Sequence, residues 1–229
     1  MAEPLAERLR PRTLDDYIGQ QHLVGEGAVL RKMIDAGRIS SFILWGPPGV
    51  GKTTLAQIIA HRLETPLYTL SAVTSGVKDV REVIEKAQKG RFFNEASPIL
   101  FIDEIHRFSK SQQDSLLGAV EKWIVTLIGA TTENPSFEVI RPLLSRCQIY
   151  ILNPLGKDDL LGLLKRAITE DVFLKDEDLE SIDERKNIQQ NFFVNENYII
   201  NMPINYNYIF MENQPNLLNG NKMLSFNFD

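Results

Sequence analysis

An eight-residue segment of this chain has the residue types and spacing of a phosphate-binding loop. It reads G-P-P-G-V-G-K-T and satisfies the pattern G-x-x-x-x-G-K-T. Glycines allow the backbone to turn successive N–H groups inward around phosphate oxygens, and the following helix adds positive charge at its N-terminus. Lys52 is expected to pair with the β- and γ-phosphates, and the Thr53 hydroxyl to bind Mg²⁺. The predicted binding residues are Gly46, Pro47, Pro48, Gly49, Val50, Gly51, Lys52, Thr53 and Thr54.

Two carboxylates, Asp103 and Glu104, follow a run of four apolar residues, Ile99–Ile102. In α/β sheets, ligands bind beyond the carboxyl ends of the strands. Asp103 is expected to hold Mg²⁺ through water, and Glu104 to orient and deprotonate an attacking water. An isolated acidic pair is commonly a solvated strand end, but the phosphate loop upstream favours catalysis. The two motifs together predict ATP hydrolysis with Mg²⁺ as cofactor.

Thr132 follows the next predicted strand, where a hydroxyl can bond the attacking water or the γ-phosphate. Asn134 is the second choice for this role. The alternative is a polar turn leading into Pro135, and local sequence by itself favours that alternative.

Arg146 follows a short predicted helix that is distal to the phosphate loop. It is a poor candidate for contacting the nucleotide of its own chain. It is a good candidate for a trans-acting arginine finger, which stabilises charge during phosphoryl transfer on a neighbouring subunit. Arg141 competes for this role, and an ordinary exposed or salt-bridged arginine is the alternative for Arg146.

Apolar runs that alternate with helical patterns predict how these residues are positioned. Strands that are apolar throughout and separated by helices indicate an α/β fold, with a parallel five-stranded sheet flanked by helices. The predicted strands are Phe42–Trp45, Leu67–Leu70, Pro98–Ile102, Val125–Ala130 and Cys147–Leu152. The predicted helices are Lys52–Leu63, Val77–Lys89, Ser111–Trp123, Phe137–Ser145 and Asp158–Glu170.

Composition excludes several classes of protein. The net charge of −5 argues against a uniformly basic nucleic-acid coat, and the single cysteine excludes an internal disulfide framework. The charged N-terminus indicates no signal peptide, and no apolar run approaches the ~20 residues of a membrane helix. We therefore predict a cytoplasmic protein with no membrane partner.

The last 49 residues differ in composition from the rest of the chain. Residues 181–229 contain twelve asparagines, whereas residues 1–180 contain three. Sequence that is rich in asparagine and aromatic residues is typically disordered or prone to β-association. An abrupt change near residue 180 favours a non-native tail over a natural interaction segment.

The order of four segments resembles AAA+ ATPases of the clamp-loader and Holliday-junction-motor branch. The segments are GPPGVGKTT, ILFIDEIHRF, TLIGATTENPSFEV and LLSRC. The HRF and TTENPSFEV runs resemble in particular the replication-associated recombination protein A family, whose eukaryotic relative is the Werner-helicase-interacting ATPase. The segment Leu9–Gln20 is similar to one that packs against adenine in that branch, which implies adenine-side contacts from Arg10 and Ile18.

The resemblance implies a P-loop NTPase that forms tetramers or hexamers and acts at stalled replication forks. The implied partners are DNA ends or single-stranded gaps and replication proteins, and the implied location is the bacterial nucleoid. It also implies that Arg146 is the arginine finger and Thr132 the first sensor. The implied divisions are an adenine-side segment and helix (1–40), an ATPase core (41–153), the start of a helical lid (154–180) and the tail (181–229).

The chain departs from the family in two places. Glu121–Ile124 stands where the family has a glycine-containing turn, and we find neither the second-sensor arginine motif nor the tetramerising helices after residue 180. An incomplete lid predicts weak assembly and low basal ATPase. The alternatives to a DNA-maintenance ATPase are therefore a nucleotide-dependent partner-binding module with little hydrolysis and a non-functional truncated fragment.

Overall fold

The computed structural model of the chain describes residues 5–73, 75–92 and 97–171, together with the strand segments 192–194, 198–201 and 222–225. These residues divide into two compact units. One unit runs from Pro11 to Asn153, and the other combines Met1–Arg10 with Pro154–Phe228. The phosphate loop and the acidic pair both lie in the Pro11–Asn153 unit.

The Pro11–Asn153 unit contains a parallel five-stranded sheet in the order β2-β3-β4-β1-β5. The predicted α/β fold and its five strands are thus confirmed, with boundaries that shift by a residue or two. Since β4 lies between β1 and β3, the ends of all three strands lie side by side. The strands are β1 (Phe42–Trp45), β2 (Leu67–Ser71), β3 (Ile99–Asp103), β4 (Thr126–Thr131) and β5 (Gln148–Ile151).

Helices of this unit connect the strands, as the alternating pattern predicts. The longest, α5 (Val77–Phe92), buries Val80, Val83 and Ala87, whose spacing places them on one face of the helix. The next helix, α6, begins at a capping box in which Ser109 and Gln112 exchange side-chain to backbone hydrogen bonds. The helices are α2 (Gln21–Val24), α3 (Val29–Asp35), α4 (Lys52–Arg62), α5 (Val77–Phe92), α6 (Lys110–Glu121), α7 (Pro135–Glu138) and α8 (Arg141–Leu144), with a 3₁₀ turn at Ile105–Arg107.

The prediction of one helix over Phe137–Ser145 is wrong. The segment instead forms α7 and α8, separated by the extended residues Val139 and Ile140. Pro142 explains the break, because proline lacks the N–H that a continuous helix would need and its ring clashes with the preceding turn. Proline is well tolerated in the first turn of a helix, where it lies in α8.

Both faces of the sheet are buried at its central strands, β1, β3 and β4. Alternate residues of β1 and β3 enter separate hydrophobic clusters: Phe42 and Phe101 lie in one, and Ile43 and Ile102 in the other. The first cluster includes α4 residues, and the second includes residues of α5 and α6. This double burial explains why the central strand β1 and the first four residues of β3 are apolar throughout.

The segment that precedes the sheet is part of the core. Leu14 and Tyr17 are buried in the same cluster as α4. Gln20 closes this segment onto the exit of β5, since its amide donates to Asn153 O at 2.7 Å and accepts from Asn153 N at 2.8 Å. The N-terminal segment is therefore held against the helix that follows the phosphate loop.

The other unit contains α1 (Leu5–Arg8) and α9 (Lys157–Glu170), and α9 buries Leu160, Leu164 and Ala167. Arg8 and Asp171 form a bidentate ion pair with N···O distances of 2.7 and 3.0 Å.

In the Asn-rich segment, Phe192–Val194 pairs antiparallel with Tyr198–Asn201, which pairs parallel with Lys222–Ser225. Apart from these three strands, the segment lies outside the described residues, and the division at residue 180 stays a prediction.

Trp123 lies in the turn where the resemblance implies a glycine. Its φ of 55° is in the left-handed region, and its side chain is exposed at 58%. A left-handed backbone costs roughly 1–2 kcal/mol in an L-residue but little in glycine. The turn therefore has a backbone conformation suited to glycine while it carries tryptophan.

Trp123→Gly is expected to raise the free energy of unfolding by about 0.5–1 kcal/mol, because it relieves the left-handed backbone at a modest entropic cost in the unfolded chain. Urea denaturation followed by circular dichroism measures this change. Trp123→Ala is the matched control, since it removes the indole but keeps the backbone cost. Equal stability of the glycine and alanine variants would contradict the explanation.

None of the helices in the described part of the chain is long and apolar enough to cross a membrane.

Candidate nucleotide-binding site

The predicted phosphate loop, Gly46–Thr53, connects β1 to α4. Gly49 and Gly51 have φ values of 77° and 87°, which glycine adopts at little cost. A Cβ on Gly51 would also lie 2.9 Å from the Tyr17 ring. The glycine spacing of the motif therefore corresponds to real conformational and steric requirements in the loop.

Lys52, the first residue of α4, points back into the loop. Its Nζ donates to Gly46 O and Pro47 O at 2.9 Å each, and the residue is 5% exposed. Burial lowers the pKa of Lys52, while the negative charges of Glu104 and Asp103 act in the opposite direction. The loop, the lysine and the acidic pair thus form one electrostatic site.

The acidic pair lies where β3 ends. Asp103 is the last residue of β3, and Glu104 adopts left-handed φ and ψ of 53° and 45° as it starts the 3₁₀ turn. The Glu104 N–H donates to Asp103 Oδ1 at 3.1 Å. Such a backbone in a non-glycine residue costs roughly 1–3 kcal/mol and persists only where the surrounding structure imposes it. The strain is located at the residue predicted to be the catalytic base.

Thr131, the last residue of β4, connects the two motifs. Its carbonyl oxygen accepts from Gly46 N at 3.1 Å, at the start of the phosphate loop. Its hydroxyl oxygen lies 3.0 Å from His106 Nδ1, and His106 Nδ1 lies 3.2 Å from Glu104 Oε2. Sequence reasoning missed both Thr131 and His106. The available signals were a histidine directly after the acidic pair and a second threonine at the strand end.

Thr132 and Asn134, the two sensor candidates, have different surroundings. Thr132 lies one residue beyond β4 and is half-buried. Asn134 Oδ1 accepts from Ser136 N at 3.0 Å and caps α7. Because that oxygen is already used by the helix, Thr132 remains the better candidate to contact a nucleotide.

Arg146 lies at the other end of the strands from the phosphate loop. It precedes β5, whose first residue, Gln148, is opposite Phe42, whereas the loop follows Trp45. The four residues of β1 separate the two ends by about 13 Å at ~3.3 Å per residue. Arg146 pairs with Glu121 and donates to Pro142 O at 2.6 Å. The structure therefore does not bring Arg146 to the phosphate loop of its own chain.

The two adenine-side candidates, Arg10 and Ile18, fall in different units. Arg10 belongs to the unit of α1 and α9, where it pairs with Glu7 at 2.6 Å. Ile18 is half-buried in the Pro11–Asn153 unit. Its neighbour Tyr17 was missed by sequence reasoning: the buried Tyr17 hydroxyl donates to the carbonyls of the phosphate loop, 2.9 Å from Val50 O and 3.2 Å from Gly51 O.

The described residues contain no group of three His, Cys, Asp or Glu side chains able to hold a metal ion. The predicted Mg²⁺ site needs no such group. Magnesium is commonly held by one or two protein oxygens together with substrate phosphates and water. A hydroxyl and a carboxylate from Thr53 and Asp103 fit that donor set.

The fold and this site define a P-loop nucleotide-binding protein. The sequence profile of the AAA family, "ATPase family associated with various cellular activities", matches residues 42–155. The replication-associated recombination protein A of Haemophilus influenzae is 52% identical over 167 residues, which are 73% of this chain and 37% of that protein. The ATPase WRNIP1 of Dictyostelium discoideum is 50% identical over 173 residues, 76% of this chain and 20% of that protein.

Among solved structures, the RuvB Holliday junction branch migration motor of Thermotoga maritima matches with a TM-score of 0.58 and 33% identity, covering 70% of this chain and 54% of that one. The chain belongs to the AAA family of ATPases, in the group of replication-associated recombination protein A. The predicted resemblance is confirmed, and membership implies nucleotide binding. The chain spans about two fifths of the length of the recombination protein from Haemophilus.

Proposed function

We propose that this chain binds Mg-ATP at the Gly46–Thr53 loop and hydrolyses it in the service of DNA replication and recombination. One observation carries the proposal: Thr131 joins the two halves of the site, through its carbonyl to Gly46 and through its hydroxyl to His106 beside Glu104. A phosphate-binding loop and a candidate base are thereby held together at the end of one sheet.

The proposed binding roles follow from the chemistry of each group. Lys52 would move its ammonium from the loop carbonyls to the β- and γ-phosphates, which bear more negative charge. Thr53 and Asp103 would hold Mg²⁺, Asp103 through water. Bound there, the ion would neutralise charge on the phosphate oxygens. Thr54 would contribute from the start of α4, where backbone N–H groups favour an anion.

Glu104 is the proposed general base. Its side chain is 27% exposed, which leaves it accessible to water, and it adjoins the proposed metal ligand. A carboxylate in this position can align a water molecule and take its proton as the γ-phosphate is transferred. Thr132 would bond the attacking water or the γ-phosphate from the end of β4.

The DNA-related part of the proposal rests on the named relatives. Their names refer to replication-associated recombination and to branch migration at Holliday junctions. We propose DNA ends or single-stranded gaps and replication proteins as partners, and a homo-oligomer as the assembled form. The location at the nucleoid in the bacterial cytosol stays a prediction.

Steady-state ATP hydrolysis, measured with and without single-stranded DNA, tests the proposed function. We expect Mg²⁺-dependent turnover that DNA raises. Nucleotide binding, measured in parallel with a fluorescent ATP analogue, separates the alternatives. Binding without turnover would support a partner-binding module instead. The absence of both binding and turnover would contradict the proposal.

A further inference from the structure

We infer that His106 is a positioning residue for Glu104, anchored in turn by Thr131; the inference rests on the proposed ATP hydrolysis. His106 lies in the 3₁₀ turn Ile105–Arg107, which directly follows Glu104, and its side chain is 13% exposed. Its Nδ1 lies 3.2 Å from Glu104 Oε2 and 3.0 Å from Thr131 Oγ1. The imidazole thus bridges the ends of two neighbouring strands.

The packing around the 3₁₀ turn explains how His106 reaches β4. Ile105 is fully buried against Gly129, where an added Cβ would lie 3.1 Å from Ile105 Cδ1. Gly129 and Thr131 are two residues apart on one strand and therefore face the same side of the sheet. The missing side chain at Gly129 lets the turn approach β4, and this brings His106 beside the Thr131 hydroxyl.

The hydrogen-bond network assigns the tautomer of His106. An ionised Glu104 carboxylate can only accept hydrogen bonds. Thr131 Oγ1 accepts from Glu133 N at 3.0 Å and donates its single hydrogen to Glu133 O at 3.1 Å. Nδ1 must then carry a hydrogen, shared between Glu104 Oε2 and Thr131 Oγ1. In the neutral ring, Nε2 is correspondingly unprotonated.

This arrangement restrains a base whose own backbone is strained. The bond from His106 uses one acceptor site of Oε2 and restrains the carboxylate, which keeps further acceptor sites for the proton of the attacking water. The carbonyl of Thr131 also holds Gly46 N, so the anchor that fixes His106 is tied to the phosphate loop. His106 therefore sets the position of the base relative to the phosphates without contacting ATP.

Variants of His106 test this role. His106→Ala is expected to lower kcat about 10–100-fold, as loss of orientation does at other sites, with KM for ATP changed less than about threefold. His106→Asn should recover much of kcat, because its amide nitrogen replaces Nδ1. His106→Gln is the matched control, since its amide nitrogen corresponds to Nε2 and should rescue poorly. Unchanged kcat in His106→Ala, or equal rescue by both amides, would overturn the inference.

A second measurement does not depend on hydrolysis. ¹⁵N-histidine NMR of the intact chain should show His106 as the Nδ1–H tautomer, with its resonances shifted in Glu104→Ala. An Nε2–H tautomer, or no response to Glu104→Ala, would overturn the inference even in an active enzyme. The Nδ1–H tautomer in a protein without turnover would instead contradict the proposed function and leave the His106–Glu104 contact established. Thermal melts of each variant exclude loss of folding as the cause.

Discussion

Glu104→Gln is expected to lower ATP turnover about 10²–10⁴-fold while leaving ATP affinity nearly unchanged. Glutamine keeps the shape of the side chain but cannot take a proton from water. Lys52, Thr53 and Asp103, which we propose to hold Mg-ATP, are not altered. The measurements are steady-state phosphate release and equilibrium binding of a fluorescent ATP analogue.

Lys52→Ala is the matched comparison for this variant. Removing the buried ammonium, which donates to Gly46 O and Pro47 O, should weaken binding itself. The two variants therefore separate the proposed chemical step from nucleotide capture. Wild-type turnover in Glu104→Gln would show that another group is the base.

Arg146→Ala is expected to lower turnover by up to ~10³–10⁵-fold where a finger acts fully, with little change in ATP affinity. Arg146 lies at the opposite end of the strands from the phosphate loop, so any contact with a nucleotide must be made across a subunit interface. In the isolated chain Arg146 pairs with Glu121. Assembly would exchange that pairing for the phosphate of a neighbour.

Mixing Arg146→Ala with Glu104→Gln subunits tests the trans arrangement directly. Each variant alone would lack one of the two proposed catalytic groups at every interface. A mixed interface can join an intact Glu104 to an intact Arg146, so activity should reappear on mixing and rise with protein concentration. Absence of rescue, with specific activity independent of concentration, would contradict a trans-acting finger.

Two further variants serve as controls. Arg141→Ala removes the competing arginine, which is also exposed, and should have a small effect. Glu121→Gln removes the partner of Arg146 within the chain. If the ion pair is merely structural, Glu121→Gln should lower activity as Arg146→Ala does, whereas a finger released from Glu121 would remain active.

The sequence by itself determined the features that depend on local spacing. The phosphate loop, the acidic pair and the five apolar strands are each contained in one short segment, whose chemistry and periodicity are legible without the fold. The family resemblance followed from the order of those segments. The sequence also identified the turn at Trp123 as a place where the resemblance implies glycine. Only the φ of 55° shows that the Trp123 backbone lies in the left-handed region, which glycine adopts at little cost.

Only the tertiary structure decided which residues connect the motifs. Thr131 joins the phosphate loop to His106 because β4 lies between β1 and β3 in the sheet. The order in which the strands follow one another along the chain does not reveal this arrangement. The Tyr17 hydroxyl under the loop and the Arg146–Glu121 pair likewise join residues far apart in the chain. Strand order and packing set these contacts, since a hydrogen bond requires proximity in space and leaves no periodic trace in the sequence.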